Sequence, residues 1–207
     1  MTDRIRTVVH LVRHGEVYNP TGVLYGRLPG FHLSDLGRQM AQRVADRFAS
    51  NDITHLVASP LDRAQETAAP IGERLALPIH TDRRMIEADN LFEGTKVSFS
   101  KVSNWPKLRN PTRPSWGEPY VNIVRRVNAA VNDAYANARG HEAIIVSHQL
   151  PIWVARLAIE GERLWHDPRH RECALGSVTS VFFEGEKLAR IAYEEPSGDV
   201  GSRVPGA

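Results

Sequence analysis

Two short apolar runs, more than a hundred residues apart, each end in a histidine. Val8-Val9-His10-Leu11-Val12 leads into Arg13-His14-Gly15-Glu16, and Ala143-Ile144-Ile145-Val146 leads into Ser147-His148. A run rich in β-branched residues that is cut off by a turn reads as a buried strand. Helical segments lie between such runs, and that alternation restricts the chain to a layered sheet with helices on both faces. Each of the two strands would deliver an imidazole to its carboxyl end, the edge at which open α/β sheets bind ligands.

The remaining segments fit the same scheme. Tyr18 to His32 holds Pro20, Gly22, Gly26, Pro29 and Gly30 and reads as a long loop beside His14, a common place for binding residues. Ser34 is placed to cap a helix that carries Leu36, Met40, Val44, Ala45 and Phe48 at helical spacing. His55-Leu56-Val57-Ala58 is a second strand, and Ser59-Pro60 is expected to open a helix with Pro at its first position and Ala64, Ala68, Ile71 and Leu75 on one face. Pro78 to Thr81 reads as a short strand, Tyr120 to Ala138 and Gln149 to Ile159 as helices. Val178 to Phe183 and Leu188 to Tyr193 form a hairpin about Glu184-Gly185-Glu186-Lys187. The expected fold is therefore α/β, a mostly parallel sheet flanked by helices. It forms one domain over residues 1–195, with a lid-like insertion at 92–119 and a flexible tail at 196–207.

Bulk properties exclude several classes. At 207 residues, with 42% apolar and 24% charged residues, the chain is globular, and a formal charge of +2 gives no reason to expect nucleic acid as a partner. Cys173 is the only cysteine, so no intrachain disulfide can form, and a small buried side chain is its expected role. No apolar stretch is long enough to cross a bilayer, and the opening residues lack the apolar core of a signal. The expectation is a cytoplasmic protein with no membrane partner, its oligomeric state open.

Arg13 and His14, Arg63 within Ser59-Pro60-Leu61-Asp62-Arg63-Ala64, and His148 could converge at one sheet edge. Two guanidinium groups and two imidazoles about a point suit a tetrahedral dianion, because guanidinium forks match phosphate oxygens with charge-assisted bonds. A neutral imidazole can also attack phosphorus and split one hard transfer into two easier ones.

These residues carry a resemblance to the histidine phosphatase superfamily, the phosphoglycerate mutase-like proteins. Leu11 to Glu16 resembles its phosphohistidine signature, and His32-Leu33-Ser34-Asp35-Leu36-Gly37 the following loop and helix start. Ser59 to Ala68 matches its second motif and Val146-Ser147-His148 its third. An Arg-His-Gly triplet alone is weak; four ordered matches over residues 8–160 are specific. The resemblance implies a small phosphorylated substrate and transfer through phospho-His14, with Arg13, Arg63 and His148 holding the phosphoryl oxygens. It implies no metal and no cofactor. It also implies a carboxyl group as proton donor, which falls on Glu87 with Asp89 and Glu93 as competitors. Asn19, Gly26 and Gln149 are further candidates for contacting substrate. Many relatives have the Asn six residues after the nucleophile, where this chain has Pro20.

Three functional readings remain at this point. The first is a phosphomonoester hydrolase; the second is a mutase, which the missing Arg-aromatic-Gly element in Asn90 to Val97 disfavours; the third is a non-catalytic phospho-ligand binder. His10, His32, His55, His80 and His141 are read as structural. His166 and His170, four apart, would suit a metal on a helix, but Pro168 argues for a loop. Lys96, Lys101, Lys107, Arg109 and Arg113 form either a solvated face or a grip on an anionic substrate, and Trp105 and Trp116 either pack under the lid or line a pocket.

Overall fold

A computed structural model describes residues 5–96 and 117–198. Six strands form one sheet in the order β3-β2-β4-β1-β5-β6. The strands are β1 (Arg6–Arg13), β2 (Ile53–Ala58), β3 (Ile79–Thr81), β4 (Glu142–Ser147), β5 (Val178–Glu184) and β6 (Lys187–Glu194). The first four in sequence run parallel, β5 pairs antiparallel with β1, and β6 with β5. The sheet is thus mostly parallel with an antiparallel hairpin added at one side, as the β5–β6 turn chemistry predicts; Gly185 takes a positive φ of 58° there.

Alternation along the strands explains the layers. Val12, Leu56, Ala58, Ile144 and Val146 point to the face covered by α1 (Asp35–Arg47) and α2 (Asp62–Leu75). Val9, Leu11, Val57, Ala143 and Ile145 point to the face covered by α3 (Tyr120–Asn137) and α4 (Gln149–Glu160). Both faces of the central strands are dry, which is why their sequence runs unbroken in apolar residues.

The helix starts differ in an informative way. Ser34 caps α1 as expected, its hydroxyl accepting from the Gly37 N–H at 2.9 Å. By contrast, α2 does not open at Ser59-Pro60: it starts at Asp62, after Leu61, without a side-chain cap. Ser59 instead continues the sheet, its N–H donating to the Val146 carbonyl at 2.9 Å, and its hydroxyl is taken by a distant histidine described below.

Of the expected lid, residues 97–116 lie outside the described residues, together with Trp105, Trp116 and four of the five cations. The expected tail also lies there from residue 199 onward. Its first residues differ from the expectation, because Ser197 is buried and its carbonyl accepts from Arg43 Nη1 of α1 at 2.6 Å. Cys173 is buried in the core, and burial pushes its thiol up to about 11. His10 is likewise structural, bridging Ser180 and Glu142 at 2.8 and 2.9 Å. Pro168–His170 forms a single 3-10 turn, so His166 and His170 do not share a helix face. No described helix is long and apolar enough to cross a membrane.

Candidate active site

Strand register builds the site. Arg13 is paired with Ser147 across β1 and β4, and the His14 N–H donates to the Ser147 carbonyl at 3.0 Å. The residues that follow the two strands therefore emerge side by side: the rings of His14 and His148 lie 5.2 Å apart, centroid to centroid. On the other flank of β4, β2 ends at Ala58 opposite Val146. Ser59 follows, and its hydroxyl meets His148 Nε2 at 2.7 Å.

His14 is held in one tautomer. Its Nδ1 lies 2.7 Å from the Gly15 carbonyl oxygen, which can only accept, so Nδ1 carries the proton and Nε2 keeps its lone pair. Arg63, from the first turn of α2, donates from Nε toward that lone pair at 3.3 Å and from Nη2 to the Gly26 carbonyl at 2.6 Å. Its guanidinium also lies 4.8 Å above the Tyr25 ring. Burial is the main cause that holds His14 well below the usual imidazole range, and the Arg63 and Arg13 charges add to it against the Gly15 bond. His148 is held low in the same way, by burial first and then by Arg63.

Arg13 and His148 each present a buried atom that has no partner among the described residues. Arg13 Nη1 donates to the Cys173 carbonyl at 2.6 Å, but its Nε is unpaired; His148 Nδ1 is unpaired too. Buried polar atoms are nearly always bonded, so two orphans beside one imidazole mark a place for a polar ligand.

A second tier of contacts fixes this cluster. Thr67 on α2 accepts from the Gly15 N–H at 3.1 Å and donates to the Arg63 carbonyl at 2.7 Å, tying the loop after His14 to the helix turn that carries the guanidinium. Gly15 packs directly on Gly37 at the start of α1, where a Cβ on Gly15 would fall 2.5 Å from the Gly37 carbonyl oxygen. Glu16 reaches the Ser34 hydroxyl and completes the link.

Glu87 lines the cleft beside this cluster together with Tyr25, Gly26, Asp89, Gln149 and Arg171. Its own carboxylate accepts from the Ala88 N–H at 2.8 Å. Its main chain is gripped by Arg27 Nε at 2.7 Å, and Arg126 holds the preceding Ile86 carbonyl at 2.6 Å; both arginines pair with Glu118. Of the competitors, Glu93 is committed to the Arg27 N–H at 2.8 Å, while Asp89 shares the cleft.

The structure does not bring Asn19 to the cluster. Its amide donates to the Val23 carbonyl at 2.9 Å, and its oxygen accepts from the Val23 N–H and the Thr21 hydroxyl, so its polar atoms close their own loop. Gly26 does reach the site, through the carbonyl bound by Arg63 and a positive φ of 40°. Gln149 does so through the cleft wall, where its Oε1 accepts from Arg171. Sequence reasoning passed over Ser59, Tyr25, Thr67 and Arg171. Ser59 and Thr67 stand inside the matched second motif, whereas Tyr25 and Arg171 sit in turn-rich segments with no periodic signal.

The chain belongs to the histidine phosphatase superfamily (branch 1), whose family model matches residues 9–194. It is 54% identical over 196 residues to an uncharacterized protein of Mycobacterium tuberculosis, Rv0525, covering 92% of this chain and 97% of the relative. It is 32% identical to a Yersinia enterocolitica protein named "Probable phosphoglycerate mutase GpmB", covering 92% of each. Among solved structures, a mycobacterial glucosyl-3-phosphoglycerate phosphatase shares the fold with a TM-score of 0.74 at 22% identity, over 92% of this chain and 98% of that one.

Proposed function

We propose that the protein is a phosphomonoester hydrolase that carries the phosphoryl group on Nε2 of His14 and needs no metal or cofactor. The observation that supports this most is the locked His14 tautomer, with a proton on Nδ1 and a lone pair on Nε2 amid cationic groups. In the first step Nε2 attacks phosphorus, the bond to the ester oxygen breaks, and the Glu87 carboxyl group gives that oxygen its proton. The transferred group spreads charge over three oxygens, which Arg13, Arg63 and His148 are placed to bond; the unpaired Arg13 Nε and His148 Nδ1 supply donors for it. In the second step a water attacks the phosphorus and yields its proton to Glu87. The N–P bond then breaks, inorganic phosphate leaves, and His14 returns to its starting tautomer. Throughout, the Gly15 carbonyl accepts from Nδ1 and stabilises positive charge on the ring.

Depression of the His14 pKa favours this role, since a protonated ring could not attack. Gly26 and Gln149 act as substrate-side wall, and the working compartment is cytoplasmic. Asn19 serves the loop and not the phosphate. A second reading, a mutase that returns the phosphoryl group to another hydroxyl, is favoured by the relative named as a phosphoglycerate mutase. Rapid quenching during turnover of p-nitrophenyl phosphate tests the proposal. The expected result is an acid-labile, alkali-stable phosphoryl group that His14→Ala abolishes along with turnover. A label with serine-type stability, or turnover that survives His14→Ala, overturns it. Release of free phosphate from phosphoglycerates without formation of the isomer separates hydrolase from mutase.

A further inference from the structure

Among the described residues, arginines away from the surface fall into two groups. Arg27, Arg84, Arg126 and Arg156 are part-buried, and each pairs with a carboxylate: Glu118 at 2.9 Å, Asp82 and Asp133 at 2.7 Å, Glu118 at 3.0 Å, and Glu160 and Glu172 at 3.2 and 2.9 Å. Arg13, Arg63 and Arg171 have no ion pair among the described residues. Arg13 and Arg63 flank His14, where an anionic phosphoryl group is the expected counter-charge. Arg171 has the same character and stands elsewhere in the cleft.

Among the described residues its bonds are all to uncharged groups. Nε donates to His166 Nε2 at 2.8 Å, Nη1 to Gln149 Oε1 at 3.2 Å, and Tyr120 supplies a further contact. His166 is fixed in turn: its Nδ1 is 2.7 Å from the Leu164 carbonyl oxygen, so that nitrogen bears the proton and Nε2 is free to accept. The ring is also packed between Tyr120 and Trp153. Three neutral groups thus orient a guanidinium without neutralising it. The Glu87 carboxylate acts on it only at a distance, and the Arg13 charge opposes its own. Holding a desolvated cation without a counter-ion is costly, and an orienting scaffold of neutral acceptors is the arrangement that leaves charge available for an incoming anion.

We propose that Arg171 is a specificity-determining residue, which binds a second anionic group, carboxylate or phosphate, on the phosphomonoester whose phosphoryl group is transferred to His14. The proposal rests on the phosphatase reading for that last clause. The substrate class is then a small phosphomonoester with an acidic tail, not a neutral sugar phosphate or an alkyl ester.

Non-hydrolysable probes test it by calorimetry on the intact chain. Phosphonoacetate should bind wild-type protein about tenfold or more tightly than ethylphosphonate, which has a methyl group in place of the carboxylate. Ethane-1,2-bisphosphonate in place of phosphonoacetate shows whether the second group is preferably phosphate or carboxylate. Arg171→Gln should bring the ratio of affinities near one, and Arg171→Lys should restore part of it. A wild-type ratio near one overturns the proposal whatever the variants do, and so does a ratio that Arg171→Gln leaves intact. Turnover of p-nitrophenyl phosphate, compared with His14→Ala, is measured in parallel. His14-dependent turnover with an unchanged ratio removes the Arg171 assignment alone. Loss of the ratio in a protein without His14-dependent turnover leaves a two-anion binding site and removes the hydrolase.

Discussion

Nε of Arg63 and Nε2 of His14 face each other at 3.3 Å, a guanidinium donor directed at the one imidazole nitrogen that carries no proton. In the proposed mechanism the pair is a resting-state contact, exchanged for phosphorus when a substrate arrives. Arg63 is also tethered to the Gly26 carbonyl and stacked on Tyr25, so its guanidinium is fixed in place before the proposed phosphoryl transfer begins.

Arg63→Lys should therefore be far from conservative. It keeps the charge but loses the forked geometry and the Gly26 tether. Removal of one such donor is expected to lower kcat/KM by about 10²–10³. Steady-state kinetics with p-nitrophenyl phosphate, on protein whose fold is verified by circular dichroism, checks this; a loss under threefold contradicts the role given to Arg63.

Glu87→Gln should slow alkyl phosphates much more than aryl phosphates, since only the poorer leaving group needs the proton in the first step. A plot of rate against leaving-group pKa should steepen in the variant. Equal slowing of both ester types would move the acid role to Asp89, which lines the same cleft and, unlike Glu118, has no arginine partner among the described residues.

Thr67→Val preserves shape and deletes the hydroxyl that joins Gly15 to the Arg63 carbonyl. The Gly15 N–H is left buried and unpaired, at a cost of about 1–3 kcal/mol. Thermal denaturation should show a Tm lower by about 2–10 °C. Thr67→Ser should recover most of it, and a Val variant as stable as wild type would show the bond to be incidental.

Stability should decline on the acid side of neutrality. His14 and His148 both have folded values well below 6.5, mainly through burial. Above 6.5 both states leave them neutral; below it the unfolded chain takes up protons that the folded chain refuses. Stability is thus lost as pH falls from 6.5 toward the folded values, at up to about 1.4 kcal/mol per pH unit for each histidine. His32, raised by its bond to Glu66, works weakly in the opposite sense from the surface. Urea midpoints at pH 7.5 and 5.5 measure the trend, and His14→Asn should reduce the difference. An undiminished difference in that variant would assign the acid sensitivity to other groups.

The strands and helices were legible because their signals are local, and the cluster because its members stand in four ordered motifs that resemble a known family. Buried strands read as unbroken apolar runs, and Ser34 announces a helix start through its own hydroxyl. Ser59 misled because Ser-Pro resembles a cap, while its hydroxyl answers to His148, 89 residues later. Asn19 misled because loop closure with Val23 competes for the same amide. Arg171 was illegible for the same physical reason: its partners Gln149 and Tyr120 come from other elements, and no spacing rule encodes a missing carboxylate.

The pairing of Arg13 with Ser147 has one more consequence, for how such a chain can diversify. Inserting or deleting a residue within β1 or β4 would turn His14 or His148 toward the opposite face of the sheet, so this pair of histidines is closed to length variation. Beyond the pinned turn at Gly15, the loops that follow the strands face no such register constraint. Descendants of one ancestor can therefore exchange the groups that choose a substrate, while the two imidazoles stay pinned by the hydrogen-bond ladder beneath them.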